Sequence, residues 1–350
     1  MAKRVSVDVA LQGGGAHGAL TWGVLDRLVE EPDLQIVGVS GTSAGAMNAV
    51  ALAQGLASGG PDGAKQLLET FWTRVSEAAA FSPFQQNMME RFWGRWSRHF
   101  SPGYMWLDTL SRAFSPYELN PMQLNPLRDL VTETFDFDLV NSAAAPRVFQ
   151  SATNVRTGNL KIFGPPHISA DTTLASACLP TLYQAVEIDG EAYWDGGYMG
   201  NPPLLPLVEA TPARDVILVL INPFRRDELP RTGAEIQNRL NEITFNAGLI
   251  NELRGLGHVV RLVDGAGFDK GAYRDGRLHR ISAEDAMKGL SVASKMNAEM
   301  TFLRRLFDIG RDAADRWFNA HRADLGRRTS WDPSFVMQVM SEIGPEGAAP

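Results

Sequence analysis

Three short glycine-framed motifs contain residue types that acyl-transfer chemistry uses. Residues 13–18 read GGGAHG, residues 41–45 read GTSAG, and residues 195–197 read DGG. A serine in a G-x-S-x-G turn is a candidate nucleophile. Consecutive glycine amides suit a developing negative charge, and an aspartate can accept a proton. The candidate site residues, in chain order, are Gly13, Gly14, Gly15, His17, Gly18, Gly41, Ser43, Gly45, Asp195, Gly196 and Gly197.

Ser43 has the sequence context that a nucleophile at a sharp turn requires. A short apolar run at 35–40 predicts a strand before it, and good helix formers follow at 44–57. The small residues Gly41, Ala44 and Gly45 allow the close backbone approach of such a turn. A chain with 33 glycines can produce this pattern by chance. The strand before the motif and the helix after it nevertheless favour a nucleophile.

The first motif also fits G-x-G-x-x-G, the pattern of a dinucleotide-binding loop. That interpretation requires an acidic residue about 20 positions later, at the end of the second strand. Here the second strand ends at Ser40 and leads into the Ser43 motif. The amides of Gly13, Gly14 and Gly15 are therefore predicted to form an oxyanion hole. A non-catalytic nucleotide-binding protein stays as the alternative from another class.

The base that activates Ser43 has two candidate types. A Ser-acid-His triad could use His258, His279 or His321, but none of them stands in a sequence resembling a catalytic loop. Asp195 follows a predicted strand and precedes two glycines. A plain turn aspartate has the same appearance. The order of the motifs favours Asp195 as the base, which requires it to lie about 2.6 to 3.2 Å from the serine oxygen.

The elements around these motifs predict an α/β fold with a parallel sheet and helices on both faces. Strands are predicted at 5–11, 35–40, 147–154, 160–163, 186–188, 192–194 and 215–221, and helices at 19–30 and 44–57, with a loop at 58–63. After Pro223 the pattern predicts long amphipathic helices at 234–263 and 284–322, with a strand-like stretch at 278–281 between them. We place a catalytic domain at 1–222 and a helical C-terminal extension, packed on the core, at 223–350.

The composition restricts the class of protein. The net charge is −7, from 40 acidic and 33 basic residues, so broad binding to nucleic acid is not expected. Cys178 is the single cysteine, in an apolar context, and no histidine or cysteine spacing suggests a metal site. No stretch reaches the roughly 18 to 20 apolar residues of a membrane span. We expect a cytoplasmic protein without metal or organic cofactor; its oligomeric state is left open.

Residues 71–117 are rich in aromatic side chains and carry four of the eight tryptophans. Within them, Arg91–Phe100 would place arginines on one helical face and aromatic rings on the other. That pattern is typical of a helix at a membrane interface, and it would make 71–117 a lid or docking segment for a membrane or lipid body. A surface helix with an aromatic core face has the same pattern. The short length and negative net charge slightly favour this second interpretation.

Together, the three motifs and their order resemble the patatin-like phospholipase family over residues 5–222. The resemblance implies calcium-independent hydrolysis of acyl esters by a Ser-Asp dyad, with Ser43 as nucleophile, Asp195 as base and Gly13 to Gly15 as oxyanion hole. It implies a lipid or acyl ester as substrate, with an acyltransferase, thioesterase or storage-polyester hydrolase as alternatives. The family's motif usually has Arg or Lys where this chain has His17. We therefore expect activity to respond to pH through His17 as well as Asp195.

Overall fold

A computed structural model describes residues 4–79, 114–266, 276–290 and 292–332 of the chain. The strands are β1 (Val5–Leu11), β2 (Leu34–Gly41), β3 (Arg147–Asn154), β4 (Leu160–Phe163), β5 (Val186–Ile188), β6 (Glu191–Asp195), β7 (Asp215–Leu220) and β8 (Arg277–Ser282). The helices are α1 (Gly18–Leu28), α2 (Ala44–Ala79), α3 (Pro116–Leu119), α4 (Pro126–Thr134), α5 (Phe137–Val140), α6 (Ala170–Ser176), α7 (Leu205–Ala210), α8 (Gly233–Ala266), α9 (Glu284–Met287) and α10 (Met300–His321).

The eight strands form one sheet in the order β5-β6-β3-β2-β1-β7-β8, with β4 paired to β3. The pairs among β3, β2, β1, β7 and β8 are parallel, whereas β4, β5 and β6 join antiparallel. Loops that follow neighbouring parallel strands meet at one edge of the sheet. The loops after β1 and β2, which carry the two glycine motifs, are therefore neighbours.

Apolar side chains cover both faces of the sheet. In β7, Ile217 and Val219 pack into one core cluster, and Leu218 and Leu220 pack into the other. This near-continuous burial is what a central parallel strand requires. Helices α1, α2 and α10 line the first cluster, and α7 and α8 line the second. The predicted α/β sheet with helices on both faces and a helical C-terminal part is confirmed.

Two predictions about helices differ from the structure. The loop expected at 58–63 is only a kink inside α2, where Gly59 and Gly60 leave helical geometry just before Pro61. The single helix expected at 284–322 is also wrong, because α9 ends at Met287 and α10 begins at Met300. Between them, the side chain of Asn297 accepts a hydrogen bond from the N–H of Glu299. Such side-chain bonds to nearby backbone compete with helix formation.

The C-terminal part contributes to the sheet as well as covering it. Strand β8 pairs along its whole length with β7, so the predicted strand-like stretch is an edge strand of the central sheet. Phe71 and Trp72, at the start of the aromatic-rich segment, are buried in the core. Arg91–Phe100 lies outside the described residues. The division at residue 222 stays a prediction.

Candidate active site

Ser43 lies at the sharp turn between β2 and α2. Its φ of 55° is in the left-handed region that non-glycine residues seldom adopt, so the backbone here is strained. A Cβ added at Gly45 would lie 2.2 Å from the carbonyl oxygen of Leu11, which explains the small residue there. The N–H of Ser43 donates to Ser176 Oγ at 2.9 Å, at the end of α6. The turn therefore holds Ser43 in one fixed orientation.

The glycine loop after β1 lies directly against this turn. A Cβ added at Gly13 would be 2.4 Å from the carbonyl oxygen of Thr42 and 2.9 Å from Ser43 Cβ. At the start of α1, a Cβ on Gly18 would lie 2.7 Å from Ala44 Cβ. Real Cβ atoms do not approach so closely, so both positions require glycine. The two motifs thus form one packed unit.

The three loop amides differ in their availability to a substrate. The N–H of Gly13 donates to Asn201 Oδ1 at 2.6 Å, so it is engaged and is not an oxyanion donor in this arrangement. Among the described residues, the N–H groups of Gly14 and Gly15 have no hydrogen-bond partner. Gly15 opens a 3-10 turn, Gly15–His17, that leads into α1, where the helix dipole favours negative charge. Of the three predicted donors, Gly14 and Gly15 thus keep N–H groups that a substrate could bind, and the oxyanion hole itself stays a prediction.

Asp195 is fully buried at the end of β6, beside β3. Its N–H donates to the carbonyl oxygen of Cys178 at 2.8 Å, and its Oδ1 accepts from the N–H of Gly197 at 2.7 Å. Burial raises the pKa of the carboxyl to about 7, although the Gly197 N–H, the Ser43 side chain and the charge of Lys295 each lower it. Oδ2 has no partner of regular hydrogen-bond geometry in the described part of the chain. The Ser43 side chain nevertheless lies near enough to affect the carboxylate.

His17 cannot act as the expected pH-sensitive group. Its side chain is buried, and Nε2 lies 2.7 Å from Ser294 Oγ in the C-terminal part. Burial, together with the charge of Lys295, lowers the pKa of His17 to about 3. The imidazole therefore stays neutral at physiological pH. The burial of His17 therefore argues against a response of activity to pH through this residue.

Of the histidines considered for a triad, the described side chains of His279 and His321 do not form one with Ser43. His279 Nε2 lies 2.9 Å from Asp215 Oδ1, and its Nδ1 lies 2.8 Å from Ser330 Oγ. Asp215 is the first residue of β7, beside Val7 of β1, so this cluster is at the sheet edge opposite Ser43. His321 contacts Asp324. The side chain of His258 is outside the described residues.

Cys178 and the possible metal ligands among the described residues form no ligand site. Burial raises the pKa of the Cys178 thiol to about 12, which describes an unreactive thiol. Across 4–79, 114–266, 276–290 and 292–332, no group of three His, Cys, Asp or Glu side chains could hold a metal ion. Within those same ranges, no helix is long and apolar enough to cross a membrane.

A network of buried amides, which sequence reasoning missed, fixes the glycine loop. Gln12 Oε1 accepts from the N–H groups of Ile221 and Asn222, at 2.8 and 2.7 Å. Gln12 Nε2 donates to Asn246 Oδ1 of α8 at 2.8 Å. A glutamine directly after an apolar strand and before a glycine run was the available signal. Asn222 and Asn246 carry no such signal, because their role depends on contacts between distant parts of the chain.

Comparison with known proteins gives the family. The model of the patatin-like phospholipase family matches residues 9–208, more than half of the chain. The chain belongs to the patatin-like phospholipase family, whose members are lipid acyl hydrolases. No curated protein matches the chain. Among solved structures, VipD from Legionella pneumophila is 17% identical, with a TM-score of 0.43, covering 91% of this chain and 67% of its own. So distant a likeness adds nothing to the argument.

Proposed function

We propose that this protein is a serine acyl hydrolase that cleaves lipid acyl esters through a Ser43-Asp195 dyad. The observation that carries the proposal is the strained turn at Ser43, next to a buried Asp195 and to the unpartnered amides of Gly14 and Gly15. Family membership supports the general reaction class. The dyad itself is our inference from the geometry.

In the acylation step, Asp195 takes the proton of Ser43 Oγ while the oxygen attacks the ester carbonyl carbon. The carbonyl oxygen becomes an oxyanion that the N–H groups of Gly14 and Gly15 bind; each such donor contributes roughly 3 to 4 kcal/mol to lowering the barrier. The intermediate collapses to an acyl-serine, and the alcohol leaves with the proton from Asp195. Water then repeats the sequence and releases the fatty acid.

Several properties of Asp195 suit it to act as the general base. A carboxyl group with a pKa near 7 is a stronger base than an exposed aspartate and is still about half ionised at neutral pH. Its backbone is bonded to Cys178, and its Oδ1 is held by Gly197, so Oδ2 is the oxygen left to receive a proton. A fixed carboxylate of this kind makes a histidine unnecessary.

The proposal is tested by hydrolysis of p-nitrophenyl esters of graded chain length, together with product analysis on phospholipid vesicles. Ser43→Ala and Asp195→Asn should each abolish turnover. Matched controls are Ser58→Ala and Asp189→Asn, at two exposed positions, which should keep wild-type rates. Free fatty acid as the product indicates hydrolysis, and acyl transfer to an added alcohol indicates a transferase. Undiminished turnover in Asp195→Asn would exclude the dyad.

A further inference from the structure

The break between α9 and α10 brings a cation toward the proposed dyad. A 3-10 turn, Val292–Met296, carries Lys295 into the interior. Part of the residue reaches solvent, but its ammonium is withdrawn from water, and this burial lowers the pKa of Lys295 to about 8. Placing a charged group in a poorly hydrated position costs free energy. The burial of this ammonium therefore points to a functional role for Lys295.

The hydrogen-bond partners of the ammonium are neutral. Lys295 Nζ donates to Asn222 Oδ1 at 2.9 Å and to Asn241 Oδ1 at 2.7 Å. It also lies 5.3 Å from the centre of the Phe245 ring, at cation–π distance. None of these contacts neutralises the charge. The positive charge therefore remains available to act on nearby anions.

Contacts on two sides connect Lys295 to the proposed dyad. On one side, a Cβ added at Gly15 would lie 2.5 Å from the Lys295 carbonyl oxygen, and Asn222 Nδ2 donates to the Gly13 carbonyl oxygen at 3.1 Å. On the other side, a Cβ added at Gly197 would lie 2.3 Å from the Phe245 ring. Gly197 is the residue whose N–H binds Asp195. Lys295 thus lies between the glycine loop and the Asp195 loop.

The titratable groups that face Lys295 are Glu242, Asp195 and His17. Glu242 is already paired with Arg226 at 2.5 Å and with Arg239 at 3.1 Å. His17 is neutral. In the described part of the chain, Asp195 has no ion-pair partner of its own. Besides Lys295, it faces Ser43, and its carboxylate also influences Cys178 and Tyr198, both un-ionised at neutral pH.

We propose that Lys295 supplies the positive charge of the active site, favouring the ionised form of Asp195 and stabilising the negative charge that develops beside Gly15. The position lies outside residues 9–208, so the C-terminal part completes the site that the family region begins. In this arrangement Lys295 supplies the positive charge that the family's glycine motif usually carries at the position of the neutral His17. The inference rests on the proposed dyad.

The test is the pH dependence of kcat/KM on a soluble p-nitrophenyl ester. In Lys295→Gln and Lys295→Met, the midpoint of the acidic limb should move upward by about one pH unit, which by itself makes kcat/KM about tenfold lower at pH 6. The plateau of kcat/KM above the midpoint should also be lower, because the developing negative charge loses its cation. Lys295→Arg should keep the wild-type midpoint, whatever its rate, because it keeps the charge. The control Lys288→Met, at an exposed lysine of the same region, should keep the wild-type midpoint and the wild-type kcat/KM.

An unchanged midpoint in the Gln and Met variants, or an equal shift in Lys295→Arg, overturns the inference. If neither neutral variant folds, as judged by thermal unfolding, wild type and Lys295→Arg still decide it. Wild type should then lose activity above about pH 8 as the ammonium deprotonates, while the arginine variant stays active, and identical alkaline limbs overturn the inference. A wild type that neither turns over ester nor reacts with a serine-directed probe contradicts the dyad instead.

Discussion

At Asp195, burial and hydrogen bonding act in opposite directions on one carboxyl group. Burial raises its pKa, and the bond from Gly197, the Ser43 side chain and the charge of Lys295 lower it, with a balance near 7. A fully desolvated carboxyl would stay protonated and could not act as a base, whereas an exposed one would be a weak base. In the proposed mechanism the ionised form of Asp195 is the active one, and its raised pKa makes it a stronger base than an exposed aspartate.

The pH–rate profile follows from this balance. The general base must be unprotonated, so kcat/KM should rise with pH through a midpoint near 7. His17 should not contribute, because its pKa is about 3. His17→Gln should therefore keep the wild-type midpoint, measured on a soluble ester. A midpoint near 4 would mean that Asp195 is not desolvated in the working enzyme.

The same carboxyl should make stability depend on pH. The folded state holds the Asp195 proton up to about pH 7, whereas the unfolded chain releases it near pH 4, so ionisation costs stability as pH rises between these values. Asp195→Asn lacks this cost. Its free energy of unfolding should exceed that of wild type above pH 7 by up to about 4 kcal/mol, with the gain lost below pH 4. Denaturant unfolding at several pH values measures this difference, and a pH-independent difference would contradict it.

Between elements, the close approach of the glycine loop to the Ser43 turn sets the geometry. Gly13→Ala places a methyl group 2.4 Å from a carbonyl oxygen, so one of the two loops must shift. We expect a loss of about 1 to 3 kcal/mol in stability and about 100-fold in kcat/KM. Thermal unfolding and ester hydrolysis measure the two effects.

The same substitution in an open position provides the control. Gly255 is exposed within α8 and has no neighbour within 4 Å of an added Cβ. Gly255→Ala should leave activity unchanged and raise stability by about 0.5 to 1 kcal/mol, since alanine is the better helix former. If Gly13→Ala behaved like Gly255→Ala, the two motifs would not be in the contact described.

Sequence patterns predicted the elements well where the information is local. The strands predicted at 5–11, 147–154 and 215–221 correspond to β1, β3 and β7, and the small residues around Ser43 indicated its turn. The helix expected at 284–322 failed because helical periodicity continues across a segment that tertiary contacts bend inward. Lys295 lies in that segment. Its partners Asn222 and Asn241 are distant in sequence, so no spacing rule could identify it.

At the scale of the whole molecule, the C-terminal part belongs to the same structure as the proposed site. Strand β8 covers the edge of β7, and α10 packs on α1 with backbones in near contact. A Cβ added at Gly310 would lie 2.0 Å from the Leu20 carbonyl oxygen. Ser294, which contacts His17, and Lys295, whose carbonyl oxygen lies against Gly15, connect the C-terminal part to the glycine loop. The region therefore does more than cover the core.

Removing the C-terminal part tests whether the core depends on it for folding. A chain ending at residue 222 exposes both the edge of β7 and the face of α1 that α10 covers, where Trp22 packs on Phe307. Exposed sheet edges and large apolar patches promote aggregation. We expect the truncated chain to be insoluble, or to lack cooperative thermal unfolding by circular dichroism. A soluble, cooperatively folding fragment 1–222 would instead support an independent catalytic domain.

The proposed reaction requires that Ser43 is a nucleophile activated by Asp195. Labelling with a fluorophosphonate probe, followed by peptide mass spectrometry, tests it most directly. Wild type should be labelled at Ser43, Ser43→Ala should not be labelled, and Asp195→Asn should be labelled far more slowly at pH 8 while remaining folded. Labelling at another serine, or equal rates in wild type and Asp195→Asn, would contradict it.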